Sequence, residues 1–211
     1  PILTIILAFF AFQSNAQIYV DDFESYTTGQ GIAQQDTSGV WTTWSSNPGS
    51  SEDPLVTSAA SNNGSNSIVI ENSNDGVLML NDLTQNRYRV EFYLMVPQNF
   101  VGYYNILQDF NGQNSTWGMQ IFFQDGTGTI DGNGAAAATF SYTPGTWMQI
   151  QHFIDLDNDW IDFYVDDSVV HAYQWSHGTY NNGNGINKLD AFNFYAWDDQ
   201  GSETPKFYMD D

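Results

Sequence analysis

The chain has 211 residues, with 4 Lys and Arg against 25 Asp and Glu, a formal net charge of −21 and no cysteine. Such a surplus of negative charge repels polyanions over roughly a Debye length, about 8 Å at physiological salt, so nucleic acid and acidic lipid surfaces are not expected as partners and acidic polysaccharides are disfavoured. Neutral glycans and divalent cations are left open. Aromatic residues make up 16% of the chain and glycine numbers 18, while strong helix formers are scarce, a balance that predicts an all-β fold.

Pro1 to Ala16 is an apolar run with a polar, small-residue end, the pattern of a secretory signal peptide cleaved after Ala16. It is too short to span a bilayer comfortably. The expectation is a protein exported to the cell surface or the medium, with one domain over residues 17–211. Ile18 to Tyr26 alternates and predicts a first strand. Residues 27–66 are rich in Ser, Thr, Asn and Gly, with a possible short strand at Trp41-Thr42-Thr43-Trp44. A segment that long without periodicity is functional or mobile.

From there strands follow at hairpin spacing: 67–71, 76–81, 87–96, 102–110, 117–123, 127–131 and 137–142. In Arg87 to Val96 the residues Tyr88, Val90, Phe92 and Leu94 share one parity, and Arg89, Glu91 and Tyr93 the other. The stretch from Trp147 to Asp167 holds two alternating runs around the acidic break Asp157-Asn158-Asp159, a hairpin with one oily and one wet face. Residues 168–175 continue the pattern, 176–187 read as a polar loop, and Leu189 to Trp197 alternates with Phe192 and Phe194 on one side and Asn193, Tyr195 and Trp197 on the other. The final strand is 207–211. About a dozen short strands at such spacings fit a jelly-roll β-sandwich of two antiparallel sheets.

The tryptophan-led strand from Trp147, the acidic turn, and Trp160 to Val170 with Val165-Asp166-Asp167 resemble the central hairpin of the concanavalin A-like lectin/glucanase superfamily, in particular its LamG-like members. Asp167 stands where that pattern has glycine. The opening Asp21 to Tyr26 and the closing Phe207 to Asp211 resemble the end strands of exported Bacteroidota modules, which often precede a sorting domain for type IX secretion. No such domain follows here, which reads as a piece of a longer secreted protein with further domains. The resemblance implies a sandwich that binds carbohydrate, and often a structural calcium held by acids of the terminal strands. If those strands pair, Asp21, Asp22, Glu24 and Asp210 would come together as ligands for Ca2+.

Hydrolysis by paired glutamates is disfavoured, because no two of Glu24, Glu52, Glu71, Glu91 and Glu203 lie within six residues. Arg89-Val90-Glu91 and Gln149 to His152 resemble lyase strands, but parity turns His152 away from Gln149 and Gln151. A neutral sugar is better matched by an outward row of rings and amides: Arg89, Glu91, Tyr93, Gln149, Gln151, Asn193, Tyr195 and Trp197, read as one groove. Three readings stand: a non-catalytic lectin-like module, an adhesion domain without a sugar site, and a divergent polysaccharide-degrading enzyme.

Overall fold

The structure is a computed structural model that describes residues 19–180, 184–197 and 204–211. The expected signal peptide, 1–16, lies outside the described residues. Two antiparallel seven-stranded sheets enclose a shared core. With strands numbered in chain order, the first sheet runs β1 (Trp41–Thr43), β4 (Asp75–Leu83), β13 (Leu189–Tyr195), β6 (Gly102–Asp109), β7 (Thr116–Gln124), β8 (Thr127–Asp131) and β9 (Ala136–Ser141). The second runs β12 (Ser168–Tyr173), β11 (Trp160–Val165), β10 (Met148–Asp155), β5 (Arg87–Met95), β14 (Lys206–Asp210), β3 (Ser67–Glu71) and β2 (Leu55–Thr57).

Period-two alternation sends one residue in two into the core. Phe92 and Leu94 of β5, Ile150 and Ile154 of β10, and Ile161 and Phe163 of β11 meet Tyr104 and Ile106 of β6, Ile121 and Phe123 of β7, and Phe192 and Phe194 of β13. Phe92 presents its edge to Phe192 and Phe194 across the sandwich, with ring centroids 6.2 and 5.5 Å apart, the geometry that aromatic quadrupoles favour. His152 is buried on the same parity, as expected. It stacks on Phe163 at 4.7 Å and shares a 2.9 Å hydrogen bond with the Tyr104 hydroxyl. Burial in this apolar shell pushes its pKa down to about 3, so it stays neutral.

Three expectations are corrected. The predicted first strand is absent among the described residues: Asp21 and Asp22 accept hydrogen bonds from the backbone N–H of Phe23 and Glu24, and these local bonds fold the segment into a turn that drops Phe23 into the core with φ 57°. The terminal segments therefore do not pair; β14 lies between β5 and β3 instead. The hairpin of β10 and β11 sits towards the β12 edge, and β5 occupies the centre of its sheet. The polar 27–66 stretch also contains a four-residue helix, α1 (Ile32–Gln35), whose first N–H groups at Ala33 and Gln34 are held by the buried Asp53 carboxylate, 20 residues further on from Ala33. A cap supplied from so far along the chain leaves no local signature.

Candidate functional site

On the outer face of the first sheet, the register sets Asn193 of β13 opposite Asn105 of β6, and Asn105 opposite Gln120 of β7. Polar groups buried in apolar strands must find partners, and these find one another. Asn193 Nδ2 donates to Asp75 Oδ1 at 2.6 Å and to the Gly76 carbonyl at 3.1 Å. Asn105 Nδ2 donates to Asn193 Oδ1 at 2.8 Å and to the Tyr103 hydroxyl at 3.1 Å. The Tyr103 hydroxyl donates to Gln120 Oε1 at 2.5 Å, and Gln120 Nε2 to Asp131 at 3.3 Å. The result is a chain of amides and a phenol across β4, β13, β6, β7 and β8 with a carboxylate at each end. Asn105 Oδ1 has no protein partner. Burial pushes the Asp75 carboxyl up to about 7, more strongly than the Asn193 hydrogen bond lowers it. Burial likewise raises the Tyr103 phenol.

Aromatic rings flank this polar row. At one end Trp44 meets Phe110 at 5.3 Å and Trp117 at 6.1 Å, and Tyr180 approaches Trp117 at 6.1 Å. These rings shelter Val77, Leu107 and Ala191, a small apolar cluster separate from the core. At the other end Tyr103 and Trp197 pack on Phe122 at 4.8 and 4.9 Å, while Tyr195 stands 38% exposed beside Tyr103. A cavity of about 210 Å³ opens there, lined in part by Gly102, Phe122, Thr129 and Trp197. It is smaller than the roughly 300–1,000 Å³ that encloses a whole small ligand, a size suited to one portion of a long one.

The outer face of the second sheet carries another set. The register aligns Tyr93 with Gln149, Glu91 with Gln151 and Arg89 with Phe153. Gln149 Nε2 reaches the Tyr93 hydroxyl at 3.4 Å, Gln151 Nε2 donates to Glu91 at 2.8 Å, and Arg89 pairs with Glu91. The expected single groove is thus corrected to two faces. Arg89, Glu91, Tyr93, Gln149 and Gln151 share one sheet, and Asn193, Tyr195 and Trp197 lie on or just beyond a strand of the other. Asn193 is buried, its amide fully engaged within the polar row. Sequence reasoning missed Asp75, Tyr103, Asn105, Gln120 and Asp131; the detectable signal was Asn105 set between the rings of Tyr103 and Tyr104 and the aliphatic pair Ile106 and Leu107.

The acids expected to hold calcium are turned to separate partners. Asp21 accepts from the Tyr19 and Tyr26 hydroxyls at 2.5 and 2.8 Å, Asp22 from the Glu24 N–H, Glu24 from the N–H groups of Ser65 and Asn66, and Asp210 from those of Asn62, Asn63 and Asp211. Among the described residues, acidic groups converge within 4.8 Å of one another at a different place, Asp82, Asp109 and Asp190. There the Lys188 ammonium pairs with Asp82 and Asp109 and lies 3.8 Å from Asp190, so the cluster contains its own cation. The carboxylates around it hold the Lys188 pKa well above the usual lysine range, against the opposing effect of desolvation.

No protein-family model and no curated protein matches the sequence. Solved structures do. The chain is similar to an alginate lyase, Aly36B, in a mutant form complexed with alginate trisaccharide (TM-score 0.58, 12% identity, 90% of this chain and 94% of that one). It is also similar to the catalytic domain of a GH131 beta-glucanase from Podospora anserina (TM-score 0.52, 13% identity, 92% and 93%). The chain is a jelly roll. It matches a sialidase too (TM-score 0.55, 12% identity) over 82% of its own length, and spans only 16% of that chain. At these identities the likeness is one of fold.

Proposed function

We propose that this chain is an exported, non-catalytic, LamG-like module that binds neutral polysaccharide across the outer face of its first sheet. The observation that carries the reading is the set of partly exposed rings of Tyr195, Trp197, Trp117 and Tyr180 on one outer face, held in place beside the buried amide and hydroxyl row from Asp75 to Asp131. Rings that stack on the C–H faces of a sugar, fixed in position by a satisfied polar row beneath and between them, make a fitting surface for a glycan. Neutrality of the ligand follows from charge: none of the groups in the row is cationic, Asp131 places a carboxylate at one end, and Lys188 is already paired with acids. The similar folds of a beta-glucanase domain and an alginate lyase holding alginate trisaccharide support a polysaccharide as the ligand class.

The test is electrophoresis of the full chain through gels containing soluble β-glucan, xylan, mannan, dextran or alginate, each with calcium and with chelator. Retardation by at least one neutral polymer and none by alginate is expected, with affinity reduced about tenfold or more in Tyr195→Ala/Trp197→Ala, a loss typical of one or two stacking anchors. Retardation by alginate alone, or by nothing, overturns the reading.

One observation favours a second reading, a polysaccharide-cleaving enzyme. A carboxyl raised to about 7, as at Asp75, divides between its protonated and ionised forms at neutral pH, as suits a general acid. Release of reducing ends from any of these polymers, abolished in Asp75→Asn, would establish it.

A further inference from the structure

We infer that the outer face of the second sheet is a second, independent sugar-binding surface, centred on Phe153 and Trp160, so that one module can hold two polysaccharide chains. The inference takes only the class of ligand from the proposed function; the surface itself rests on different residues.

Exposed aromatic surface is unfavourable in water, and a folded chain of this size has core positions for its rings. Among the described Phe, Trp and Tyr residues four are nonetheless exposed. Tyr180 and Tyr195, at 37% and 38%, belong to the first face; Phe153 and Trp160, at 39% and 43%, belong to the second. Phe153 of β10 and Trp160 of β11 point to the same side, because their neighbours Ile154 and Ile161 point into the core. The register places Trp160 opposite Asp155 and Asp162 opposite Phe153, so the two rings are diagonal neighbours, a spacing within reach of one extended ligand. Tyr164 extends the strip, its ring edge-on to Phe153 at 5.4 Å.

The polar groups around the rings are held in position. The Trp160 indole N–H donates to Asp162 at 3.0 Å, Arg87 pairs with Asp155 at 2.7 Å, and Arg89 lies over the Phe153 ring, 5.6 Å from its centroid, while it pairs with Glu91. Both arginines of the chain stand on this one strip. Each arginine is paired with one acid here, on a molecule that is strongly negative overall. A strip of rings edged with fixed donors and acceptors, its two cations already paired and Asp162 left as a surplus carboxylate, offers little to an anionic partner and much to an uncharged, hydroxylated one with flat apolar faces, a neutral glycan.

The two surfaces lie on opposite sides of the sandwich, so occupancy of both would cross-link polymer. The test compares the full wild-type chain with Phe153→Ala/Trp160→Ala and with Tyr195→Ala/Trp197→Ala. The readouts are retardation by soluble β-glucan, xylan, mannan and dextran, and light scattering of protein mixed with whichever polymer is bound. Wild type is expected to raise scattering at sub-saturating protein. Phe153→Ala/Trp160→Ala should abolish that rise while keeping retardation within about threefold, and Tyr195→Ala/Trp197→Ala should keep a weaker retardation through the second face. Trp160→Lys, which places a solvated charge at an exposed position, serves if the double variant does not fold and should abolish scattering equally. Wild-type scattering and retardation in the Phe153/Trp160 variants would overturn the inference and leave the first-face reading standing. Complete loss of retardation in the Tyr195/Trp197 variant would do the same. Retardation lost only in the Phe153/Trp160 variants would instead overturn the first-face reading, and absence of any neutral-polymer binding overturns both. Self-association of the wild-type chain that Trp160→Lys abolishes, without glycan binding at this strip, would assign it to a protein partner and also overturn the inference.

Discussion

The two outer faces of the sandwich carry similar residue types in different states. On the first sheet Asn193, Asn105, Tyr103 and Gln120 are engaged with one another and largely buried, leaving rings at either end to meet solvent. On the second sheet Arg87 pairs with Asp155 across strands and Arg89 with Glu91 along one at the surface, the buried Gln151 donates to Glu91, and Phe153 and Trp160 stand among them. The same β-alternation produces both. The difference lies in whether a polar side chain is shut in by neighbouring rings, where each lost hydrogen bond leaves a dry, unsatisfied partner, or can be rescued by water.

That contrast should be visible in stability, first in the polar row. Asn193→Leu strips Asp75 of its donor and Asn105 of its acceptor, and should cost about 2–4 kcal/mol in urea unfolding, whereas Gln149→Leu on the second face should cost under about 1 kcal/mol. Equal costs would erase the distinction between the faces.

A second effect is expected in pH dependence. An unfolded histidine binds its proton near 6.5 and buried His152 only near 3, so between those values the unfolded chain holds the extra proton and stability falls as the pH falls. Asp75 acts oppositely. Its folded carboxyl stays protonated up to about 7 against 3.8 for a free one, so its contribution is full below 3.8 and is lost as pH rises to 7. Asp75→Asn should therefore stabilise the protein at pH 7.5 by up to a few kcal/mol and steepen the loss of stability on acidification, read from melting curves between pH 4 and 8. An unchanged profile would mean that the carboxyl is solvated and the first face open.

Smaller effects lie at the margins. Lys188→Met leaves the half-buried Asp109 and the buried Asp190 without their cation and should lower the melting temperature by roughly 5 °C, with partial recovery on adding calcium. Phe153→Ser, at an exposed site, should change stability by no more than about 0.5 kcal/mol, so that any binding loss there is a surface effect.

Much of this was legible in the chain. The alternation of Val90, Phe92 and Leu94, and of Phe192 and Phe194 against Asn193 and Tyr195, sorted inside from outside strand by strand. Sheet membership was not legible, because hydrogen bonding between strands far apart in sequence leaves no local pattern. β13 enters between β4 and β6 while β14 enters between β5 and β3, and that divergence split one expected groove into two faces. Strand β6 is buried along nearly its whole length, so its parity could not announce that Tyr103 and Asn105 look outward. The acids at 21–24 were illegible for another reason: their partners are tyrosine hydroxyls and backbone N–H groups, which a count of carboxylates does not include.

The most direct measurement is a titration of the isotopically labelled full chain with a neutral oligosaccharide from whichever polymer retards it, followed by backbone and side-chain amide NMR. Saturable shifts at the indole N–H groups of Trp117 and Trp197 and at the backbone of Tyr195 and Trp197 are predicted. Shifts absent from the first face, or evoked there only by a uronate oligosaccharide, would contradict the account.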